Sequence, residues 1–488
     1  MTFRTKQFIS AVFFVLFCSI SFAYGQPATS SAQGVSRLST NAANASDPIV
    51  VGDNDPRITA YQNIVSLGAK GDGTTDNTAA LQTAINAGSA VMIPEGTFNF
   101  SGTLTLKKDS IIVGVGKKSI LRYSGTGVAM QESVGAYQGG YDNLKLMNFT
   151  LTTSNYSQTG IELTNNYQVT ISGVYIDGAG GGFRTAGIHL IGGTTATNSA
   201  VIRIIDGEIW FCVGDGIRLS GPGGTAAIWI ERNHITGNGL GIEQVLPNGA
   251  WPSTNFQINN NVIEGNINGG ILAEVLYASS ITGNYFENID GSSAVPVRIA
   301  NNGYAQGLTI SGNLFGGKSA AYNIDMNGPA DITGTIANNM FGGASVAAIR
   351  VNTARGLVIE NNTLETGTVP TLVSLGAGAK SVWLKDANGA SYLSGSSAAQ
   401  PNLTLGGKLV LGSAALGGNA GTVESKTASG SAYAPLAALN FKLSAGPTWT
   451  SGTGAPASSC ARGSLYSRLD GGAKTTLYVC ESTGWVAK

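Results

Sequence analysis

The chain repeats a short pattern, Gly160-Ile161-Glu162-Leu163, as Gly187-Ile188-His189-Leu190, Gly216-Ile217-Arg218-Leu219 and Gly241-Ile242-Glu243. The series continues at Ile271, Val297, Ile324, Ile349 and Leu372. Successive gaps between these apolar positions are 27, 29, 25, 29, 26, 27, 25 and 23 residues. A period in this range indicates a solenoid, in which each repeat buries its apolar side chains against the next repeat.

A second pattern runs in phase with the first. Asparagine or glycine precedes a pair of strand-forming residues once per repeat, at Asn148, Gly173, Gly207, Asn233, Asn261, Asn284, Asn313, Asn339 and Asn362. Both residue types tolerate a left-handed backbone, so we expect a tight turn at this column. A third strand precedes each turn, as in Ile228-Trp229-Ile230.

Three short strands per repeat and no intervening helix predict an all-β fold, a right-handed parallel β-helix with three strands per coil. Each coil adds about 4.8 Å along the axis. Leucines are not at the fixed spacings of a leucine-rich repeat, and a propeller blade needs about 40 residues.

The segment from Gly68 to Ile85, GAKGDGTTDNTAALQTAI, resembles the opening segment of the pectate-lyase-like superfamily. IPEGTF at 93–98 and the turn at 114–116 follow in the family's order, and the family more often has a second aspartate where Asn77 stands. The resemblance covers about residues 57–395. It implies the parallel β-helix and a polysaccharide ligand. It does not indicate which reaction the protein catalyses, since lyases, glycoside hydrolases and tailspikes share this opening segment.

The opening segment also has a structural task. We expect Asp76 or Thr75 to cap a short helix. The apolar residues of that helix then close the open end of the solenoid, and these are Ala80, Leu81, Ala84 and Ile85.

The remaining segments differ in composition. Residues 1–25 read as a signal peptide, with Arg4 and Lys6 before an apolar stretch, which predicts a secreted or periplasmic protein. Residues 26–56 are a linker, 396–450 are either a Gly/Ala/Ser-rich linker or trimerising strands, and 451–488 are a small β module. The protein is therefore expected to be a monomer or a homotrimer.

The charge balance and the cysteines limit the partners and the cysteine chemistry that the protein can have. Lys plus Arg and Asp plus Glu number 28 each, which argues against nucleic acid as a partner, and no segment after the signal is long enough to span a membrane. Cys460 and Cys480 flank a hairpin-like stretch and are expected to form a disulfide, whereas Cys212 is expected to be a buried thiol.

The residue after each repeated Ile should point outward. These positions carry charge on seven of eight coils, and Glu274 takes the second outward position on the Leu272 coil; the column is Glu162, His189, Arg218, Glu243, Leu272, Arg298, Asp325 and Arg350. The resemblance implies that this sheet borders the substrate groove. The other two sheets are expected to carry mainly Thr, Gln, Ser, Val and aromatic residues outward. The alternative is a solvated face of ion pairs such as Arg218–Glu243 and Asp325–Arg350.

Loops are expected to form walls beside this column. Residues 177–184 and 210–215 approach it from one side, and 245–251 leave it on the other. Arg184 and Asp215 are therefore candidates for substrate binding, as are Glu162, Arg298, Asp325 and Arg350. Trp251 is a candidate platform for a sugar ring.

Three functions remain open. β-Elimination from an acidic polysaccharide is favoured, with His189 as the base and Arg218, Arg298 or Arg350 neutralising the sugar carboxylate. No cofactor is expected, although Ca²⁺ held by Glu243, Asp215 or Glu274 could replace arginine. Hydrolysis would use Glu243 with Glu274, roughly 8 Å apart between backbones, or with Asp215. A glycan-binding protein or surface adhesin is the third possibility. His234, on another sheet, is expected to be structural.

Overall fold

The repeat forms a solenoid of about 11 turns with about 26 residues per turn in the computed structural model of the protein, so the predicted parallel β-helix is confirmed. The predicted segments 1–25 and 26–56, the residue Trp251 and most of 396–450 lie outside the described residues. The structure describes residues 61–384 except 89, 134–141, 180, 194–197, 247–253, 288–293, 318–320, 329–331, 366–367, 370 and 380–381, together with 393–395, 414–419, 422–427 and 449–488 except 473–474 and 483.

The first of three parallel sheets contains the repeated pattern and is named the Gly-Ile sheet. One of its strands is the start of the long strand Val295–Ser311. There, Val297–Ile299 pair with the preceding strand, Gly269–Tyr277, and with the following strand, Tyr322–Met326. The other strands are Leu104–Thr105, Val128–Ser133, Ser157–Thr164, Phe183–Ile191, Asp215–Ser220, Leu240–Val245, Gly269–Tyr277, Tyr322–Met326, Ala347–Ala354, Val373–Ala379 and Leu393–Gly395.

The second sheet follows the Gly-Ile sheet within each coil. It includes the end of the strand Val295–Ser311, where Thr309 pairs with Thr335. The other strands are Tyr61–Asn63, Ala90–Ile93, Ile111–Gly114, Lys145–Met147, Tyr167–Ser172, Ser199–Ile205, Thr225–Glu231, Thr254–Asn259, Ser280–Thr282, Ile332–Ala337, Gly356–Glu360 and Val382–Leu384.

The third sheet completes each coil and has the shortest strands. Its inward aromatic side chains stack directly, because Phe286, Phe315 and Phe341 have ring centroids 4.9 Å apart. Its strands are Asp72–Asp76, Gly96–Phe100, Ser119–Tyr123, Thr150–Thr153, Tyr175–Asp177, Glu208–Trp210, His234–Thr236, Val262–Glu264, Tyr285–Glu287, Leu314–Phe315, Met340–Phe341 and Thr363–Leu364.

The inward residues of the Gly-Ile sheet form one buried column. Ile217 pairs with Ile242, and Ile242 with Ile271, and each is at most 2% exposed. The glycine before each Ile is required by close approach, since a Cβ on Gly241 would lie 2.6 Å from the carbonyl oxygen of Gly270. The register predicted from the repeat is therefore correct.

The asparagine column lies at the turn between the second and third sheets, where its side chains form a buried ladder. The Nδ2 of Asn284 donates to the Ile258 carbonyl at 2.8 Å and to Oδ1 of Asn313 at 3.0 Å. The backbone N–H of Asn284 donates to the same Oδ1 at 2.9 Å. The same bonds repeat along the stack of Asn233, Asn261, Asn284, Asn313, Asn339 and Asn362.

The left-handed backbone predicted for the asparagine column is present at only two of its positions. Asn148 and Gly173 have φ of 55° and 60°. In the ladder, the left-handed residue is the one before the buried asparagine, with φ of 56° at Asn260 and 65° at Gly283. The buried asparagine is selected by hydrogen bonding inside the corner, because its amide satisfies backbone groups that water cannot reach.

The N-terminal end is closed by the α-helix Thr78–Asn86, which follows the 3-10 helix Ile64–Leu67. Leu81, Ala84 and Ile85 are buried, and Ala80 is partly buried. Oδ1 of Asp76 accepts from the Thr78 amide at 2.9 Å, so Asp76 caps the first turn of the helix. Asp76 is one of the two capping residues that the sequence predicted. The residue at the N-cap position, Asn77, has its side chain turned to the backbone of Lys70 instead.

The C-terminal region contains a two-stranded sheet and a separate four-stranded sheet. Within the latter, Cys460 and Cys480 form a disulfide with their Cα atoms 5.9 Å apart. Cys212 is a free, buried thiol. The strands of the two sheets are Ala414–Asn419 and Thr422–Thr427, then Trp449–Gly452, Leu465–Arg468, Leu477–Glu481 and Gly484–Ala487. No helix in the described part of the chain is long and apolar enough to cross a membrane.

The asparagine ladder generates a stability prediction. Asn284→Ala leaves the Asn261 amide groups without their acceptor and the Ile258 carbonyl without its donor, in a buried corner. Each unsatisfied group costs about 1–3 kcal/mol, so we expect a loss of several kcal/mol in the free energy of unfolding, measured by denaturant titration. Asn268→Ala, at an exposed position, is the matched control and should change stability little. Equal stability of the two variants would contradict a structural role for the ladder.

Candidate functional site

The outward residues of the Gly-Ile sheet stand side by side in one column, as the repeat predicted. Glu162 pairs with His189, and His189 with Arg218. The column continues coil by coil through Glu243, Leu272, Arg298, Asp325 and Arg350. The structure therefore brings the predicted candidates of this sheet onto one face, which we name the charged column.

The centre of the charged column is a cluster of two carboxyl groups and one guanidinium. Asp215 begins the strand Asp215–Ser220 and is 6% exposed. Nη1 of Arg218 donates to Oδ2 of Asp215 at 2.9 Å and also to Oε2 of Glu243. Glu243 lies on the next coil and is mostly covered. One arginine thus contacts both members of the Asp215–Glu243 pair that the sequence offered for hydrolysis.

The two carboxyl groups of this cluster also interact with each other. Burial raises the pKa of Asp215 to about 7, helped by a hydrogen bond with Glu243 and by its negative charge. Arg218 acts in the opposite direction but does not cancel these effects. A carboxyl group that holds its proton near neutral pH, beside a second carboxyl group, can donate that proton to a bound molecule.

His189 is less accessible than predicted for a base. It is 9% exposed, and its Nε2 hydrogen-bonds the hydroxyl of Ser220 at 2.8 Å. Its Nδ1 lies 3.4 Å from Oε2 of Glu162, too long for a strong hydrogen bond. His189 is therefore hydrogen-bonded to Ser220 of the next coil, and its Nδ1 lies beside Glu162 of the coil before it.

Asp325 organises the far end of the charged column. It is 1% exposed and receives two bonds from Arg350, at 2.6 Å from both Nε and Nη2. Nε of Arg298 lies 3.4 Å from the same carboxylate. Arg350 also stacks over the ring of Tyr322 at 4.5 Å. Both ion pairs named in the alternative interpretation, Arg218–Glu243 and Asp325–Arg350, are thus present.

The remaining predicted residues lie at the edges of the column. Oε2 of Glu274 accepts from the Leu246 amide at 2.7 Å, where the chain leaves the Gly-Ile sheet. Arg184 is exposed near the start of the strand Phe183–Ile191 and stacks over the ring of Tyr156 at 4.7 Å. Trp251 lies outside the described residues.

The sequence interpretation missed aromatic side chains at the corner between the third sheet and the Gly-Ile sheet. Tyr156 is 61% exposed and Phe211 is 51% exposed. Both occupy the turn that leads into a Gly-Ile strand, so a search of that turn in each repeat would have found them. Phe211 lies over the next coil's Gly237, where a Cβ would come within 2.7 Å of the ring.

The expectation for the other two sheets is wrong for the third sheet. Its outward residues include Glu208, which bonds Lys117 at 2.6 Å, and Glu264, which bonds His234 at 2.8 Å. Asp177 and Glu287 stand in the same rows. The short strands expose their acidic side chains at the strand ends. Charge alone therefore does not distinguish the Gly-Ile sheet; the difference is the Asp215 cluster.

Metal ligation by the charged column stays a prediction. Within the described residues, no group of three or more His, Cys, Asp and Glu side chains converges on a common point. Glu243 and Asp215 share Arg218 instead, which supplies positive charge at the place where a calcium ion was considered.

Comparison with known sequences identifies relatives of this fold. Residues 61–266 match a family model described as rhamnogalacturonase A/epimerase, pectate lyase-like. The chain is 30% identical over 194 residues to the pre-neck appendage protein of Bacillus phage phi29, covering 36% of this chain and 20% of the relative. The pre-neck appendage protein of Bacillus phage PZA is similar at 29% identity over the same length. The chain thus spans about a fifth of the length of these relatives.

Solved structures agree on the architecture. PfbA, a surface adhesin of Streptococcus pneumoniae, is 14% identical, with a TM-score of 0.51 over 75% of this chain and 94% of that one. DFA-IIIase from Arthrobacter chlorophenolicus A6 is 11% identical, with a TM-score of 0.50 over 70% of this chain and 99% of that one. At these identities the likeness concerns the fold alone. The family model, the opening segment and the stacked coils support a pectate-lyase-like parallel β-helix.

Proposed function

We propose that the chain binds an extended polysaccharide along the Gly-Ile sheet and hydrolyses it, with Asp215 and Glu243 as the proton-transfer pair. The observation that carries this proposal is the raised pKa of Asp215, about 7, beside the second carboxyl group of Glu243. Perturbed carboxyl pairs of this kind are characteristic of sites that move protons.

Hydrolysis requires an acid on the glycosidic oxygen and a second carboxylate for water. The Asp215–Glu243 pair supplies the acid, because it retains a proton near neutral pH. Glu274 lies one coil further and two residues along its strand, roughly 8 Å from Glu243 between backbones. The Leu246 amide holds the Glu274 carboxylate in place. A separation of this order between the two carboxyl groups would leave room for a water molecule, as in inverting glycosidases.

Elimination is less well supported than the sequence alone suggested. It requires a free cation for the sugar carboxylate and an accessible base. Arg218, Arg298 and Arg350 each contact a carboxylate of the protein itself. The imidazole of His189, the expected base, is already hydrogen-bonded through Nε2 to the hydroxyl of Ser220. These contacts favour proton transfer by carboxyl groups.

The substrate is proposed to be a long chain because the charged column extends over successive coils of the Gly-Ile sheet. Arg184 is the exposed cation beside it and stacks on Tyr156. That pair could contact both an acidic group and the apolar face of a sugar ring. A preference for acidic polysaccharides would therefore depend on Arg184. The predicted signal peptide and disulfide support secretion to the place where such polymers occur.

Replacement of the pair tests the proposal. Glu243→Gln preserves size but removes the carboxylate whose hydrogen bond and negative charge help to raise the pKa of Asp215, so activity should fall by about 10²-fold or more. Activity is measured as new reducing ends and as ultraviolet absorbance of unsaturated uronates, over a panel of polygalacturonate, alginate, hyaluronan, xylan and dextran. Hydrolysis gives reducing ends without that absorbance.

The control is Glu264→Gln, an equally conservative change on the third sheet, which should retain activity. Reducing ends together with the unsaturated absorbance would replace hydrolysis by elimination. Binding of a panel member without products would indicate a glycan-binding protein or adhesin. Unchanged turnover in Glu243→Gln would place the reaction elsewhere.

The pKa of Asp215 predicts a pH profile. Its acid form is present below about pH 7 and is lost as pH rises through that value, so kcat/KM should decline on the alkaline side. In Asp215→Asn, this alkaline limb should disappear along with most of the activity. Persistence of the same limb in Asp215→Asn, measured on the panel member that wild type cleaves, would assign it to another group.

A further inference from the structure

A buried glutamine lies beneath the candidate site and has no role in the reaction proposed above. Gln244 follows Glu243 in the strand Leu240–Val245, points inward and is only 2% exposed. The same inward position holds leucine on the three preceding coils, and these residues are Leu163, Leu190 and Leu219. A polar side chain in an apolar column is unfavourable unless its amide is fully hydrogen-bonded. Gln244 therefore requires a reason other than packing.

The reason is an interruption in the pairing of the next coil. Pairing between the strands Leu240–Val245 and Gly269–Tyr277 ends at Ala273. On the other side of Gly269–Tyr277, the register with the following coil shifts between Ala273 and Val275. Glu274 thus lies at a point where the regular ladder is interrupted on both sides. Buried backbone groups at such a point need partners from side chains.

The side chain of Gln244 supplies these partners. Its Oε1 accepts from the backbone N–H of Val275 at 2.7 Å and from that of Glu274 at 3.1 Å. Its Nε2 donates to the Val275 carbonyl at 2.7 Å. The two backbone donors fix which end of the amide is the oxygen. Three hydrogen bonds from one side chain therefore hold the backbone at Glu274, while the Leu246 amide holds its carboxylate.

We propose that Gln244 is a positioning residue that sets the distance between the carboxyl groups of Glu243 and Glu274. Glu243 and Gln244 are consecutive, so one strand presents the first carboxyl group outward and holds the backbone of the second from its inner face. In glycoside hydrolysis, the distance between the two carboxyl groups decides whether water fits between them. This inference rests on the proposed function, in which Glu274 is the carboxylate that acts on water.

The first test is Gln244→Met in the full chain, which keeps nearly the same side-chain length and removes all three hydrogen bonds. A displacement of Glu274 by about 1 Å should lower kcat by about 10²-fold on the panel member that wild type cleaves. KM should stay the same, because the displaced group acts in the transition state. Full kcat in Gln244→Met, together with loss of activity in Glu274→Gln, would overturn the inference and leave the proposed function standing.

A double-mutant cycle separates positioning from a general loss of structure. If Gln244 acts through Glu274, adding Gln244→Met to Glu274→Gln should cause no further fall in kcat. A second fall of the full size would contradict action through Glu274. The matched control is Asn339→Ala, which removes another buried amide that bonds a carbonyl of the preceding coil. It should lower stability and keep kcat.

A conservative variant covers the case in which Gln244→Met fails to fold. In Gln244→Glu, a protonated carboxyl group can donate to the Val275 carbonyl and accept from the two N–H groups, whereas an ionised one cannot donate. Burial favours the protonated form, increasingly so as pH falls. The kcat of Gln244→Glu, relative to that of wild type, should therefore rise as pH is lowered. A low ratio that stays constant with pH would overturn the inference.

Amide hydrogen exchange tests the placement without any substrate. The N–H groups of Glu274 and Val275 should exchange faster in Gln244→Met than in wild type, because they lose their acceptor. Exchange at Asn284, in the asparagine ladder, should stay the same. Unchanged exchange at Glu274 and Val275 would overturn the inference. Absence of turnover by wild type would instead remove the proposed function, and the exchange rates would still decide whether Gln244 holds Glu274.

Discussion

The structure depends on one constraint, that every coil must turn at the same place so that its strands pair with those of the next coil. The buried asparagine ladder enforces this at the corner between the second and third sheets. The side-chain amide of each asparagine bonds to the coil before it. For example, Oδ1 of Asn284 accepts from both the backbone N–H and Nδ2 of Asn261. The ladder thus satisfies polar groups that the apolar interior would otherwise leave unpaired.

The candidate site is a consequence of that register. Because the coils superimpose, one outward position of each Gly-Ile strand meets the corresponding position of the next at about 4.8 Å. Side chains far apart in sequence, such as Arg218 and Glu243, therefore come into contact. The low dielectric beneath the sheet then raises the pKa of Asp215. A rigid scaffold with charged groups at fixed spacing suits an extended polymer better than a small ligand.

Periodicity explains what could be predicted. The Gly-Ile sheet, its buried isoleucines and its outward column follow from alternation within strands and the repeat length. Contacts that depend on irregular corners could not be predicted. The Arg184–Tyr156 pair joins different coils through turns of unequal length. The left-handed conformation was assigned to the asparagines of the ladder, although the preceding residue carries it.

The most direct test of the central claim is carboxyl footprinting with a carbodiimide, with and without the oligosaccharide of the panel member that the protein binds. A bound chain is expected to protect Glu162, Glu243 and Glu274 on the Gly-Ile sheet. Labelling of Glu208, Glu264 and Glu287 on the third sheet should stay unchanged in the same sample. Protection of the third-sheet carboxylates, with unchanged labelling of Glu243, would contradict the assignment of the binding face.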